Sequence, residues 1–80
     1  MVFRYPRKVR LVPDTPKSGR HRNAADTHEA AANRHDEAAK FWVGRGDAER
    51  ADLERRNAAV ERAAAEIERD RAKLLEREGR

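Results

Sequence analysis

Eighty residues carry 19 Lys plus Arg against 15 Asp plus Glu, a formal net charge of +4, and 38% of them are hydrophobic. Half of that apolar content is alanine: Leu, Ile, Val and Phe together number only twelve, below the roughly 20% at which a chain begins to bury enough surface to fold alone. So short and thin a chain holds one domain at most, and it has no room for the pocket and supporting shell that enzymes use. The absence of cysteine excludes a disulfide framework and thiolate metal sites. No apolar run approaches the roughly 18 residues of a membrane span, and Arg4, Arg7, Lys8 and Arg10 stand where a secretory signal keeps its apolar stretch. The expectation is a cytoplasmic protein with no membrane association. Arginine outnumbering lysine by fifteen to four, beside fifteen alanines, is what GC-rich codons produce and suggests a high-GC bacterial or phage source.

In chain order, the first segment is a basic arm. Residues 1–22 hold seven of the Lys/Arg and a single acid, Asp14, whereas residues 23–80 hold twelve Lys/Arg and fourteen acids. Pro6, Pro13 and Pro16 each remove a backbone donor and bias the preceding residue away from helix, so the arm reads as extended. Alternation of basic and apolar residues from Lys8 to Val12 allows a short strand, and Lys17 to Arg20 reads as a linker. From Asn23 the composition changes to Ala, Glu, Arg and Asp without proline, and predicts helix over 23–43. Asn23 is the expected N-cap and Gly44 the left-handed residue that stops the helix. Arg45 and Gly46 make a turn. Asp47 caps a second helix over 48–77, about 1.5 Å per residue and so longer than the first. A short connection makes the two antiparallel, and the unequal lengths predict that the end of the second helix, with Leu74 and Leu75, projects past the start of the first. The fold class is therefore all-α: an arm over 1–22 and a two-helix hairpin over 23–80 with a long second helix.

Around the turn, Ala39 and Trp42 late in the first helix, the Gly46-Asp47 turn, and Ala51 and Ala58 in the second resemble a single tetratricopeptide-type helical hairpin over residues 35–63. His35, Arg55 and Ala63 stand where that family carries Trp, an aromatic and Pro. The resemblance implies hairpin geometry, with Ala51 and Ala58 facing the partner helix, and a general protein-binding role.

Two apolar stripes run along the second helix. Leu53, Val60, Ile67 and Leu74 recur every seven residues as a coiled-coil-like seam, with Ala64 beside them. Ala51, Ala58, Ala65 and Ala72 repeat at the same interval about 200° round the helix. The alanine stripe suits close approach of the first helix, which leaves the aliphatic seam, with Leu75, Phe41 and Trp42, as the candidate interface. One intramolecular core wrapped by the arm is the competing reading. Phe41 and Trp42 beside the turn would then serve the hairpin core and its edge.

His21, His28, His35 and Trp42 also step by seven. Seven helical residues span about 10.5 Å, too far for two ligands of one ion at bonds of about 2 Å, so the expectation is no metal and no cofactor, with half-buried histidines edging the Ala31, Ala32, Ala38 and Ala39 face. Imidazoles change charge in the physiological range, which raises the question of pH-sensitive packing. Arg45-Gly46-Asp47 spells the integrin tripeptide, but here it stops one helix and caps the next. Phe3, Tyr5, Arg4, Arg7, Lys8, Arg10, Lys17, Arg20 and Arg22 give the arm the basic and aromatic mixture that neutralises phosphates and stacks on bases. A ribbon-helix-helix repressor has the same element order but helices of about half this length. Thr15, Ser18 and Thr27 are remote from any base and orienting group, so no catalytic constellation forms. The functional expectation is a small non-enzymatic assembly subunit that oligomerises or docks on a larger protein assembly through its seam. The alternative is a nucleic-acid accessory protein acting through its arm.

Overall fold

Alanine-rich, proline-free sequence between two glycine-bearing turns has one inexpensive backbone solution, and the chain adopts it. The computed structural model describes residues 16–79, and within them two helices, α1 (Lys17–Gly44) and α2 (Ala48–Arg77), pack antiparallel as a hairpin. The expected all-α architecture is present, and α2 has the predicted bounds.

The start of α1 differs from expectation. Asn23 is not a cap. It sits inside the helix, where its carbonyl accepts the Thr27 hydroxyl at 3.1 Å. Pro16 occupies the N-cap position in extended geometry (φ −57°, ψ 154°), and its carbonyl accepts the Arg20 N–H at 3.0 Å. Proline fences helix only on its own N-terminal side: the donors it lacks have no intrahelical partner in a first turn. Lys17 to Arg20 is therefore the first helical turn and not a linker, and Lys17, Arg20 and Arg22 belong to α1 and not to an extended arm. Arg4, Arg7, Lys8 and Arg10, with the short strand expected over residues 8–12, lie outside the described residues. The longer α1 also removes the predicted overhang, because Arg22 reaches Glu76 near the end of α2 at 2.7 Å.

The turn repeats this pattern of right chemistry displaced by a residue or two. Gly44 remains helical. Arg45 is the C-cap, its N–H shared between the carbonyls of Phe41 and Trp42, and Gly46 takes the left-handed conformation at φ 75°. A residue without Cβ adopts that region at little cost. Asp47 caps α2 as expected, its carboxylate accepting the Arg50 N–H at 2.9 Å. That bond, joined by the Arg50 guanidinium, holds the Asp47 carboxyl below its usual range.

The buried residues of the hairpin are all alanines: Ala25, Ala32 and Ala39 on α1, and Ala51, Ala58, Ala65 and Ala72 on α2, none more than 4% exposed. Each set keeps a seven-residue interval along one side of its helix. Methyl-sized side chains let the backbones approach toward the lower end of the usual 8–10 Å between axes. The α1 stripe, Ala25 included, completes the partial list of Ala31, Ala32, Ala38 and Ala39 read from sequence; Ala31 and Ala38 are half-buried at its edge.

Candidate interaction surface of the second helix

Polar rungs flank the alanine seam on both sides, and they decide which way each remaining stripe faces. On one side His21, His28 and His35 place Nδ1 at 2.5, 2.6 and 2.7 Å from carboxylate oxygens of Glu68, Glu61 and Glu54. Each step of seven down α1 is met by a step of seven up α2, the register that an antiparallel pair of heptad stripes requires. All three rings are about one-third exposed, as the half-buried edge position implied. The His21 hydrogen bond is the largest influence holding the Glu68 carboxyl below its ordinary value. Among the described residues no group of three or more His, Cys, Asp or Glu is placed to hold a metal ion. The glutamate partners went unrecognised in the sequence, although Glu54, Glu61 and Glu68 keep the same interval as the histidines.

On the other side the rungs are ionic. Arg62 donates to Asp36 at 2.6 Å and to Asn33 at 3.1 Å, Arg69 donates to Glu29 at 3.1 Å, and Arg22 holds Glu76 with two hydrogen bonds. The Arg62 hydrogen bond pulls the Asp36 carboxyl down, and the Arg22 hydrogen bond does the same to Glu76. Asp36 thus turns across the hairpin to Arg62, whereas Lys40, four residues on in the same helix, bonds Glu37 at 3.0 Å. Asp52 and Arg56, four apart on α2, pair at 3.0 Å. Between the helices near the turn lies a shallow hollow edged by Asp36, Lys40, Val43 and Arg55. It mixes both charge signs, and no Ser, Thr, Cys or His lines it.

With the alanines and both ladders committed to the hairpin, the aliphatic seam of α2 faces away from α1. Leu53, Val60, Ile67 and Leu74 are 53%, 66%, 52% and 45% exposed. These four form one continuous stripe about 32 Å long, given a rise of ~1.5 Å per residue. The other expected interface residues are placed elsewhere. Leu75 is half-buried and continues the Glu54–Glu61–Glu68 stripe. Trp42 is half-buried at the opposite end, in line with the histidines, with the Arg50 guanidinium 5.0 Å from its ring centroid. Phe41 meets Trp42 edge to face at 5.0 Å, lies under Arg45, and is 53% exposed. Two residues beyond buried Ala39, it is about 200° round α1, so it lies on the far side of the hairpin from the aliphatic seam. Of the basic residues assigned to the arm, Lys17 and Arg20 are exposed on the first turns of α1 and Arg22 is tied to Glu76.

No protein-family model, curated protein or solved structure matches the chain. The tetratricopeptide likeness is thus confined to hairpin geometry, in which Ala39, Ala51 and Ala58 occupy the helix interface. Among the described residues no helix is long and apolar enough to cross a membrane.

Proposed function

We propose that the protein is a non-enzymatic assembly subunit whose docking element is the outer face of α2. One observation carries this reading. Four of the six large aliphatic side chains among residues 16–79, Leu53, Val60, Ile67 and Leu74, line up on the side of α2 that its own partner helix does not cover. Scattered exposed apolar residues need no explanation, but a contiguous stripe of them marks an interaction surface. The hairpin core strengthens the case. Seven buried alanine methyl groups at about 0.8 kcal/mol each supply only some 6 kcal/mol, so covering the seam adds burial that the hairpin by itself lacks.

The test is sedimentation of the whole chain at micromolar concentration beside Ile67→Asp. The wild-type chain is expected as an oligomer, or as a complex with a protein partner, and the variant as a monomer, because a carboxylate in the middle of a dry seam must be desolvated. A wild-type monomer with no partner, unaffected by Ile67→Asp, overturns the reading.

A further inference from the structure

Resting on that reading, we infer that the occupant of the seam is a second copy of this chain, with the two α2 helices antiparallel and crossing a two-fold axis at Ala63. Charge placement on the outer face carries the argument. Beside the aliphatic seam runs a second exposed stripe at the same interval: Glu49, Arg56, Ala63, Asp70 and Arg77. Turned end for end about Ala63, this stripe is its own electrostatic complement. Glu49 meets Arg77 of the other copy, Arg56 meets Asp70, and the alanine meets itself.

The rest of the face follows the same axis to within half a residue, about 0.75 Å of helical rise. In the seam, Leu53 falls opposite Leu74 and Val60 opposite Ile67, so each rung matches residues of similar bulk. On the outer rim Asp52 falls opposite Lys73; both are exposed. Asp52 already pairs with Arg56 within its helix at 3.0 Å, so the four charges at each end, Asp52 and Arg56 with Asp70 and Lys73 from the other copy, close into an alternating cluster. A parallel arrangement does the reverse, setting each of these charges against its own like. Isologous contacts of this kind close under two-fold symmetry. The axis also coincides with the middle of α2, which spans Ala48–Arg77, so the whole seam is covered with neither end overhanging.

The resulting assembly is a row of four helices, α1–α2–α2–α1. It explains why α2 carries two apolar stripes of different size: alanines toward α1 and aliphatics toward the other α2. Glu61 and Glu68, about 100° round α2 from the seam, are engaged by His28 and His21, which keeps them directed into their own hairpin. Exposed ion pairs contribute little affinity singly, so the charges select orientation and register while the seam supplies the attraction.

Two experiments on the full chain test this. The protein has no cysteine, so Ala63→Cys places a single thiol per copy near the axis, and mild oxidation is expected to link the dimer nearly completely, whereas Glu49→Cys is expected to link little with itself. Strong self-linkage at position 49 indicates parallel helices and overturns the inference, while an Ile67→Asp-sensitive dimer leaves the seam reading standing. Second, Arg56→Glu and Asp70→Arg are each expected to weaken the dimer about tenfold, since each reverses two symmetry-related pairs. Mixing the two variants in equal amounts restores opposite charges on every rung and is expected to return dimerisation to the wild-type level. Single variants that dimerise normally, or a mixture no better than either component, overturn the proposed register. A wild-type monomer overturns the inference; the reading beneath it falls as well only if that monomer binds no protein partner and Ile67→Asp changes nothing.

Discussion

The two faces of α2 invert the usual relation between side-chain size and burial. The inner face buries nothing larger than alanine, whereas the outer face exposes Leu53, Val60, Ile67 and Leu74. Transfer energy alone would turn the larger groups inward. The hairpin does otherwise because its inner positions also have to satisfy a ladder of His–Glu and Arg–acid pairs on both sides, and those side chains span the gap only if the helices lie close together. The lesson is that size ranks how strongly a face seeks cover, and it does not say whether the cover comes from the same chain.

The sharpest way to break the comparison is to make the same kind of change on each face. Ala65→Leu inserts bulk at a position that is 0% exposed between the helices, and overpacking of this sort costs about 1–3 kcal/mol or more where the backbone cannot yield. Urea denaturation is expected to show the largest loss of any substitution considered. Val60→Leu, on a side chain that its own hairpin leaves 66% exposed, keeps the seam aliphatic and is expected to change the stability by less than Ala65→Leu does, about 1 kcal/mol at most. Equal losses at the two positions would mean that the two faces do not differ in packing.

The turn is the next most sensitive place. Gly46 sits at φ 75° with open space where a Cβ would be, so Gly46→Ala is expected to cost about 1 kcal/mol from backbone conformation alone, read as a lower thermal midpoint with unchanged oligomeric mass. Acid acts more diffusely. Asp36, Asp47, Glu68 and Glu76 are all held below their ordinary values by Arg62, Arg50, His21 and Arg22 respectively. A depressed folded-state value contributes stability that is fully present above the unfolded value, near 4, and is lost as the pH falls through the folded one. The thermal midpoint is therefore expected to fall between about pH 4 and pH 2, and a flat profile there would show that the ladders do not hold the helices together.

Much of this was readable from the residues alone, and the parts that were not have physical causes. Helix from composition, the turn at Arg45-Gly46, the Asp47 cap and the two stripes of α2 all follow from local chemistry and a seven-residue interval. The start of α1 was misplaced because Pro16 and Gly19 look like breakers in isolation; tertiary pairing of His21 with Glu68 and Arg22 with Glu76 outweighs the propensity of one glycine. The cross-hairpin rungs were missed because the histidines were weighed as ligands of an ion, which seven-residue spacing forbids, and not as partners of a second stripe with the same spacing on the other helix. The ordinary helical rule pairs Asp36 with Lys40, but the Arg62 guanidinium reaches that carboxylate from the opposite helix.

The smallest expected effect concerns the open end of the hairpin and asks what closes it. Arg22 and Glu76 form the last rung, with hydrogen bonds of 3.1 and 2.7 Å and both side chains 45% exposed. Its polarity is opposite to the other two ionic rungs, in which α1 supplies the acid to Arg62 and Arg69. Reversing one partner, Arg22→Glu, sets like charges together at a helix end that already frays readily. The global midpoint is expected to move little, because exposed pairs contribute little and the alanine core is untouched. Amide exchange is the discriminating measurement. It should quicken in the first turns of α1 and the last turn of α2 while residues near the turn stay protected. Combining Arg22→Glu with Glu76→Arg restores an opposite-charge pair in the polarity of its neighbours, and protection is expected to return. If exchange stays fast in the double variant, the contact is specific to the Arg22 geometry; if it never quickens in the single one, then half-buried Leu75 and not the polar rung holds the open end of the hairpin shut.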